Sequence, residues 1–169
     1  MQPSRISVAG AVLHVQQLVG DGDLPAIERH LLRLGPLDRR ARFLSSPADE
    51  VIRVYTRQLD PLRVILVGAV DLGKRLVELA EAHLADTTAE VGVSIDVAFR
   101  RHGLGRSLVS GVLALAFGRS VQSAEFVFSP DNPAIAVWFR SSVADALPLT
   151  ECQSASPRTA QNARRSEPR

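Results

Sequence analysis

The apolar positions of this chain follow two periods, helical at first and then strand-like. From Leu24 to Leu34, Ile27, Leu31 and Leu34 recur at helical spacing. Asp23 stands where an N-cap belongs, Pro25 suits the first turn, and Gly35-Pro36 stops the helix. A short Arg-rich helix is predicted over Leu37–Leu44. Another opens after Ser46-Pro47, with Val51, Val54, Tyr55 and Leu59 as its apolar side and Asp60-Pro61 as its end. Before these helices, Ile6, Val8, Val12, Leu13, Val15 and Leu18 give a strand signal within residues 5–18.

From Leu62 the period changes. LRVILVGAV (62–70) is rich in branched aliphatics and predicts a strand. In AEVGVSIDV (89–97), Val91, Val93, Ile95 and Val97 alternate with Glu90, Gly92, Ser94 and Asp96, the pattern of a strand with two unlike faces. RLVELAEAHL (75–84) has helical propensity, but it lies between the turns Asp71–Lys74 and Ala85–Thr88, so a strand is expected. Three strands joined by short turns form an antiparallel meander. Residues 107–117 then read as a buried helix carrying Leu108, Val112, Leu115 and Ala116, and residues 124–128 as a strand. Ser129–Pro133 opens a last helix, capped by Asp131 or Asn132 and carrying Ile135, Val137, Trp138 and Phe139.

Composition narrows the function classes. The chain has 169 residues, 46% hydrophobic and 22% charged, which suits one domain with a real core. Its net +2 is unevenly divided: residues 152–169 hold four Arg and one Glu, a net +3, which leaves −1 on the rest. The near-neutral remainder argues against a nucleic-acid-binding face. Residues 152–169 hold almost no apolar side chains and read as a disordered basic tail behind a domain spanning 1–151. No apolar run approaches the ~18 residues of a membrane span, and the N-terminal MQPSRISVAG does not read as a secretory signal, so the cytoplasm is expected. A single cysteine, Cys152, excludes an internal disulfide, and with four scattered histidines it excludes a Cys/His zinc site; no metal is expected.

The chemistry concentrates in one place. A strand is followed by Arg100-Arg101-His102-Gly103-Leu104-Gly105-Arg106 and then by a helix. Glycines let backbone N–H groups approach a ligand closely, and a helix N-terminus adds free donors and the positive end of its dipole. With Arg100, Arg101 and Arg106 beside them, these make a pyrophosphate site. It is not the dinucleotide fingerprint, which needs a third glycine and a parallel βαβ unit, nor a P-loop, since no Gly-Lys-Ser/Thr follows.

An antiparallel meander leading into Arg-x-x-Gly-x-Gly, a helix, a strand and an Asn-capped helix resembles the GNAT superfamily of acyl-CoA-dependent N-acetyltransferases, over roughly residues 5–143. The resemblance is strongest in VSIDVAFRRHGLGRSLV. It implies an α/β (α+β) fold, a mixed and mostly antiparallel central sheet with helices on both faces. It implies acetyl-CoA as cosubstrate and direct attack by an amine. By the same resemblance the strand backbone at Ile95, Asp96 and Val97 pairs with the pantetheine arm. The turn from Arg100 through Arg101, His102, Gly103, Leu104 and Gly105 to Arg106 holds the pyrophosphate, and Asn132 lies near the thiol. Glu90 matches the position of an acidic residue that activates the amine, with Glu78 and Glu81 as lesser candidates. His102 suits phosphate contact, while His14, His30 and His83 show no partner in the sequence. The partners implied are acyl-CoA and an amine-bearing substrate, with no nucleic acid and no membrane, and with a homodimer left open.

The chain also departs from the family. The tyrosine expected seven residues after Asn132 is Phe139, the usual Gly-Phe after that helix is Val143-Ala144, and Ala146–Glu151 supplies at most one short closing strand. These departures keep a second reading open, a catalytically weak or inactive acyl-CoA-binding regulatory module on the same fold. A third is an unrelated α/β interaction domain in which RRHGLGR is a basic helix entry.

Overall fold

A computed structural model of the chain describes residues 4–8 and 10–126. Among them six strands form one sheet, in sequence order: β1 (Ser4–Val8), β2 (Ala11–Leu18), β3 (Val64–Asp71), β4 (Leu76–Ala85), β5 (Thr88–Ile95) and β6 (Ser123–Phe126). Pairing is antiparallel from β1 to β5, and β6 joins β5 in parallel. The α-helices are α1 (Leu24–Leu32), α2 (Pro36–Phe43), α3 (Asp49–Arg57) and α4 (Leu104–Phe117). The chain through α4 carries the crossover that a parallel pair requires.

Two cores flank the sheet, one on each face. Leu108, Val112 and Ala116 of α4 pack on Val67, Ala80 and Val91. On the other face Ile27 and Leu31 of α1 and Ile52 of α3 pack on Leu18, Leu66 and Leu79. This is the mixed, mostly antiparallel sheet with helices on both sides that was expected. One irregularity matters below. Ala69 pairs with Glu78 but Val70 pairs with Leu76, so Val77 is an extra residue in β4, a bulge. Leu76 therefore joins the α1–α3 core, while Val77 and Glu78 both face the α4 side.

The meander is as predicted, and the segment expected over 75–84 is strand from Leu76 to Ala85: pairing on both edges overrides its helical propensity. Elsewhere the structure corrects the pattern. The single strand signal over residues 5–18 is a hairpin, turned at Gly10 with φ +76°. On α3 the buried residues are Ile52 and Thr56, while Val51 is 57% and Val54 43% exposed. Both sets of residues recur at helical spacing, and only the sheet decides which stripe faces inward. β5 ends at Ile95; Val97 begins a 3₁₀ turn (Val97–Phe99) and is 71% exposed rather than continuing the apolar face. On the polar face of β5, Gly92 and Ser94 meet residues of α2 and α1, while Glu90 is exposed. The helix predicted after Ser129, Phe139, residues 146–151, Cys152 and the rest of the basic tail lie outside the described residues.

Candidate active site

The turn between β5 and α4 has the form that its glycines suggest. Arg101 has φ +64° and Gly103 φ +80°, two left-handed residues that reverse the chain into the helix. No side chain caps α4. The amides of Leu104, Gly105 and Arg106 therefore have no intrahelical acceptor, and they sit at the positive end of the helix dipole. A Cβ added at Gly103 would meet nothing within 4 Å, so the space above the turn is open. Arg101, His102 and Arg106 are exposed around it, whereas Leu104 and Gly105 are buried. These residues fit a pyrophosphate.

Arg100 behaves differently from its neighbours. Its Nε donates to Ile95 O at 3.0 Å, and its guanidinium pairs with Asp38 of α2 at 2.8 Å. Asp96 also turns away from the glycine turn. Its amide donates to Val77 O, and its carboxylate takes Arg75 at 2.5 Å and Arg33, the residue that ends α1, at 3.4 Å. Along β5, β6 pairs with Thr88–Val91. Residues 92–95 have no strand partner on that edge among the described residues. Asn132 lies outside them.

The face of β4 and β5 beneath α1, α2 and α3 carries a polar layer. Glu90 is exposed, opposite His83 on β4 and Glu125 on β6. Its carboxylate makes no hydrogen bond or ion pair among the described residues. Next to it, Glu81 is fully buried and one oxygen of it, Oε2, is shared by three donors: Arg42 at 2.8 Å, His83 Nε2 at 3.2 Å and the Tyr55 hydroxyl. Burial alone would raise the Glu81 pKa. The Arg42 charge and the hydrogen bonds from His83 and Tyr55 outweigh it and hold the group at about 2. Burial and the Glu81 charge push the Tyr55 phenol well up, so it stays protonated. His83 Nε2 also lies 3.0 Å from Tyr55 Oη.

Two further buried groups lie close by. His30 of α1 bonds Ser94 Oγ at 2.8 Å and Leu76 O at 3.2 Å, and burial lowers its pKa. Glu78, on the opposite face of β4, is buried with neither oxygen hydrogen-bonded among the described residues, and burial raises its pKa to about 8. Of the histidines without an evident partner, His30 and His83 are therefore both engaged. Arg42 and Tyr55 carry no chemical signal in the sequence: one sits in an Arg-rich helix, the other in an apolar stripe. The one trace in the chain is that Glu81 and His83 share a strand face at a spacing of two.

An antiparallel meander that runs into an uncapped glycine turn at a helix N-terminus, with a parallel strand added beyond β5, is an acyltransferase-type scaffold. The model of the acetyltransferase (GNAT) family matches residues 31–140, and the chain belongs to that family. No curated protein matches its sequence. Among solved structures, the GNAT domain of S. lividans PAT superposes with a TM-score of 0.68 at 14% identity, over 83% of this chain and 86% of that one. The spermidine N-acetyltransferase from Vibrio cholerae, solved with CoA and spermine, gives 0.60 at 18%, over 77% and 79%. An aminoglycoside acetyltransferase from an uncultured soil metagenomic sample, solved with sisomicin, gives 0.59 at 16%, over 85% and 95%. At these identities the likeness establishes the fold. Among the described residues no helix is long and apolar enough to cross a membrane, and no group of three His, Cys, Asp or Glu could hold a metal ion.

Proposed function

We propose that the chain is an N-acetyltransferase that moves the acetyl group of acetyl-CoA to an amine by direct attack, in the cytoplasm and without a metal. The observation that carries this reading is the turn before α4: three amides without helical acceptors, open space over Gly103 and three exposed cationic or polar side chains beside it. In this reading Gly103, Leu104, Gly105 and Arg106 hold the pyrophosphate, helped by Arg101 and His102. Arg100 contributes backbone while its side chain braces the turn against α2. The backbone at Ile95, Asp96 and Val97 lies along the pantetheine arm, and Asn132 belongs near its thiol end. Glu90 accepts a hydrogen bond or a proton from the amine. The acetyl group arrives as a thioester whose carbonyl carbon the amine attacks. The protein orients both reactants, and positioning alone is worth several orders of magnitude in rate.

The second reading, a CoA-binding module with weak or no turnover, is supported by Phe139, which offers no hydroxyl to the leaving thiolate. Two measurements separate them. Acetyl-CoA should raise the melting temperature, since a ligand of the native state alone stabilises it by mass action. Thiol release with spermine or sisomicin as the first acceptors should then be measurable. Gly103→Glu should lower CoA affinity by tenfold or more in a protein that stays folded. Gly105 is a poorer test because it is buried. No melting shift at millimolar CoA would sink both readings; a shift without thiol release from any amine in a broad panel would leave the binding module.

A further inference from the structure

The polar network under α2 and α3 ends on a half-exposed imidazole. His83 is 36% exposed, while the Glu81 carboxylate behind it is fully buried. The hydrogen bonds of its ring among the described residues are made through Nε2, to Glu81 Oε2 and to Tyr55 Oη. The hydrogen inventory of the cluster assigns the imidazole tautomer. The Tyr55 hydroxyl proton goes to Glu81, and Arg42 donates to Tyr55 Oη at 3.3 Å, so both oxygens facing His83 are acceptors. Nε2 therefore carries the hydrogen, and Nδ1 keeps its lone pair, with no partner among the described residues. A buried carboxylate fixing the orientation of a half-exposed imidazole is the arrangement a general base requires.

Its place in the sheet supplies the second half of the argument. His83 is directly opposite Glu90, and directly opposed residues on antiparallel strands lie about 5 Å apart at Cα with side chains on one face. Glu90 in turn pairs with Glu125 of β6. The imidazole thus stands one strand in from β5, the strand that leads into the glycine turn before α4. This network is also costly to keep: Glu81 Oε1 and Arg42 Nε are buried with no hydrogen-bond partner among the described residues.

We propose that His83 is a catalytic base of the acyl transfer, taking a proton from the incoming ammonium at Nδ1, while Tyr55 and Glu81 act as positioning residues. The inference rests on the acetyltransferase reading above. His83 Nδ1 takes one proton from the ammonium. The freed nitrogen lone pair forms the C–N bond at the thioester carbonyl, and the C–S bond breaks with its electron pair on sulfur. The second nitrogen proton ends on the thiolate, and the imidazolium returns its proton to water. Glu90, on the same rung, holds the ammonium in place. The charged and titratable groups facing His83 are Glu81 from its own strand, Tyr55 from α3, Arg42 from α2 and Glu90 from β5, with Glu125 beyond it on β6.

His83→Gln tests this, with acetyl-CoA and spermine or sisomicin as the assay pair. Turnover should fall by more than an order of magnitude, with KM for acetyl-CoA and the melting temperature nearly unchanged. Unchanged turnover in His83→Gln overturns the inference alone, because the wild-type turnover in the same assay upholds the acetyltransferase reading. A wild-type protein inactive with every amine overturns both. A second readout needs no acceptor: imidazole nitrogen NMR of the free protein should show His83 as the Nε2–H tautomer, and an Nδ1–H tautomer overturns the inference.

Discussion

The guanidinium of Arg42 lies over Gly92: a Cβ built on that glycine would stand 2.6 Å from Arg42 Cζ and 2.7 Å from Nη1. The pair joins α2 to β5 and leaves the guanidinium free to reach Glu81 across the neighbouring strand. Gly92→Ala should therefore act as an ion-pair mutation rather than as a helix or strand mutation. Pushing the guanidinium off Glu81 should cost about 3 kcal/mol, the scale of breaking a buried pair. Chemical denaturation checks this, and a loss under about 0.5 kcal/mol, the scale of an ordinary surface change, would show that Arg42 has room to move.

Arg42 itself sets the acid side of the stability profile. The folded-state pKa of Glu81 is depressed to about 2 from an ordinary 4.5. Stability from this carboxylate is present above pH 4.5 and is lost as pH falls towards 2. Arg42→Met leaves Glu81 buried without its counter-charge, so the variant should be destabilised by about 3–5 kcal/mol at pH 7. The deficit should narrow below pH 4.5 as the carboxyl takes up a proton. Melting curves at about pH 3 and pH 7 measure it; a deficit equal at both would contradict the assignment.

Glu78 works in the opposite direction. Burial raises its folded pKa to about 8 against an ordinary 4.5. Stability from this group is complete below pH 4.5 and fades as pH rises towards 8. Glu78→Gln should match the wild type at pH 4.5 and exceed it at pH 8. The gain should be about 2–4 °C in Tm for each kcal/mol recovered. A variant less stable than wild type at the alkaline end would mean that the ionised carboxylate is needed.

Ser94→Ala removes the partner of His30 Nε2, a ring with no exposed surface. Leaving a buried polar nitrogen unpaired should cost about 1–3 kcal/mol. Because Ser94 faces α1 and not the α4 turn, CoA affinity should be unaffected. Titration of CoA against the variant separates the two effects, and a large loss of affinity would place Ser94 in the binding site instead.

The sheet and the glycine turn were legible because each is written locally. The alternation of Val91 and Val93 with Glu90 and Gly92 needs only a period of two, and Gly103 marks a left-handed residue at a helix entry. The polar layer was not legible. Arg42, Tyr55, Glu81, Gly92 and His83 come from α2, α3, β4 and β5, and nothing short-range ties the first two to the others. His83 looked partnerless because its partners are two residues and 28 residues away. The helices over Gly92 and Ser94 left no mark in the pattern, because a solvated strand face and a face that packs against polar helix residues share one alternation. The inward stripe of α3 was ambiguous for a related reason: Val51 and Val54 compete with Ile52 and Thr56, and only the sheet breaks the tie.

The extra residue at Val77 makes β4 two strands spliced out of phase. In an unbroken strand Leu76 and Glu78 would share a side, and either a leucine would leave the α1–α3 core or a carboxyl would enter it. The splice lets each half of the strand obey its own facing rule, so the stretch bearing Glu81 and His83 is insulated from changes at the Arg75 end. Insertions or deletions of one residue between Arg75 and Val77 would be absorbed or amplified there, at the seam, without rotating the imidazole. The same change made between Leu79 and Glu81 would turn Glu81 and His83 over to the opposite side of the sheet, away from Arg42 and Tyr55.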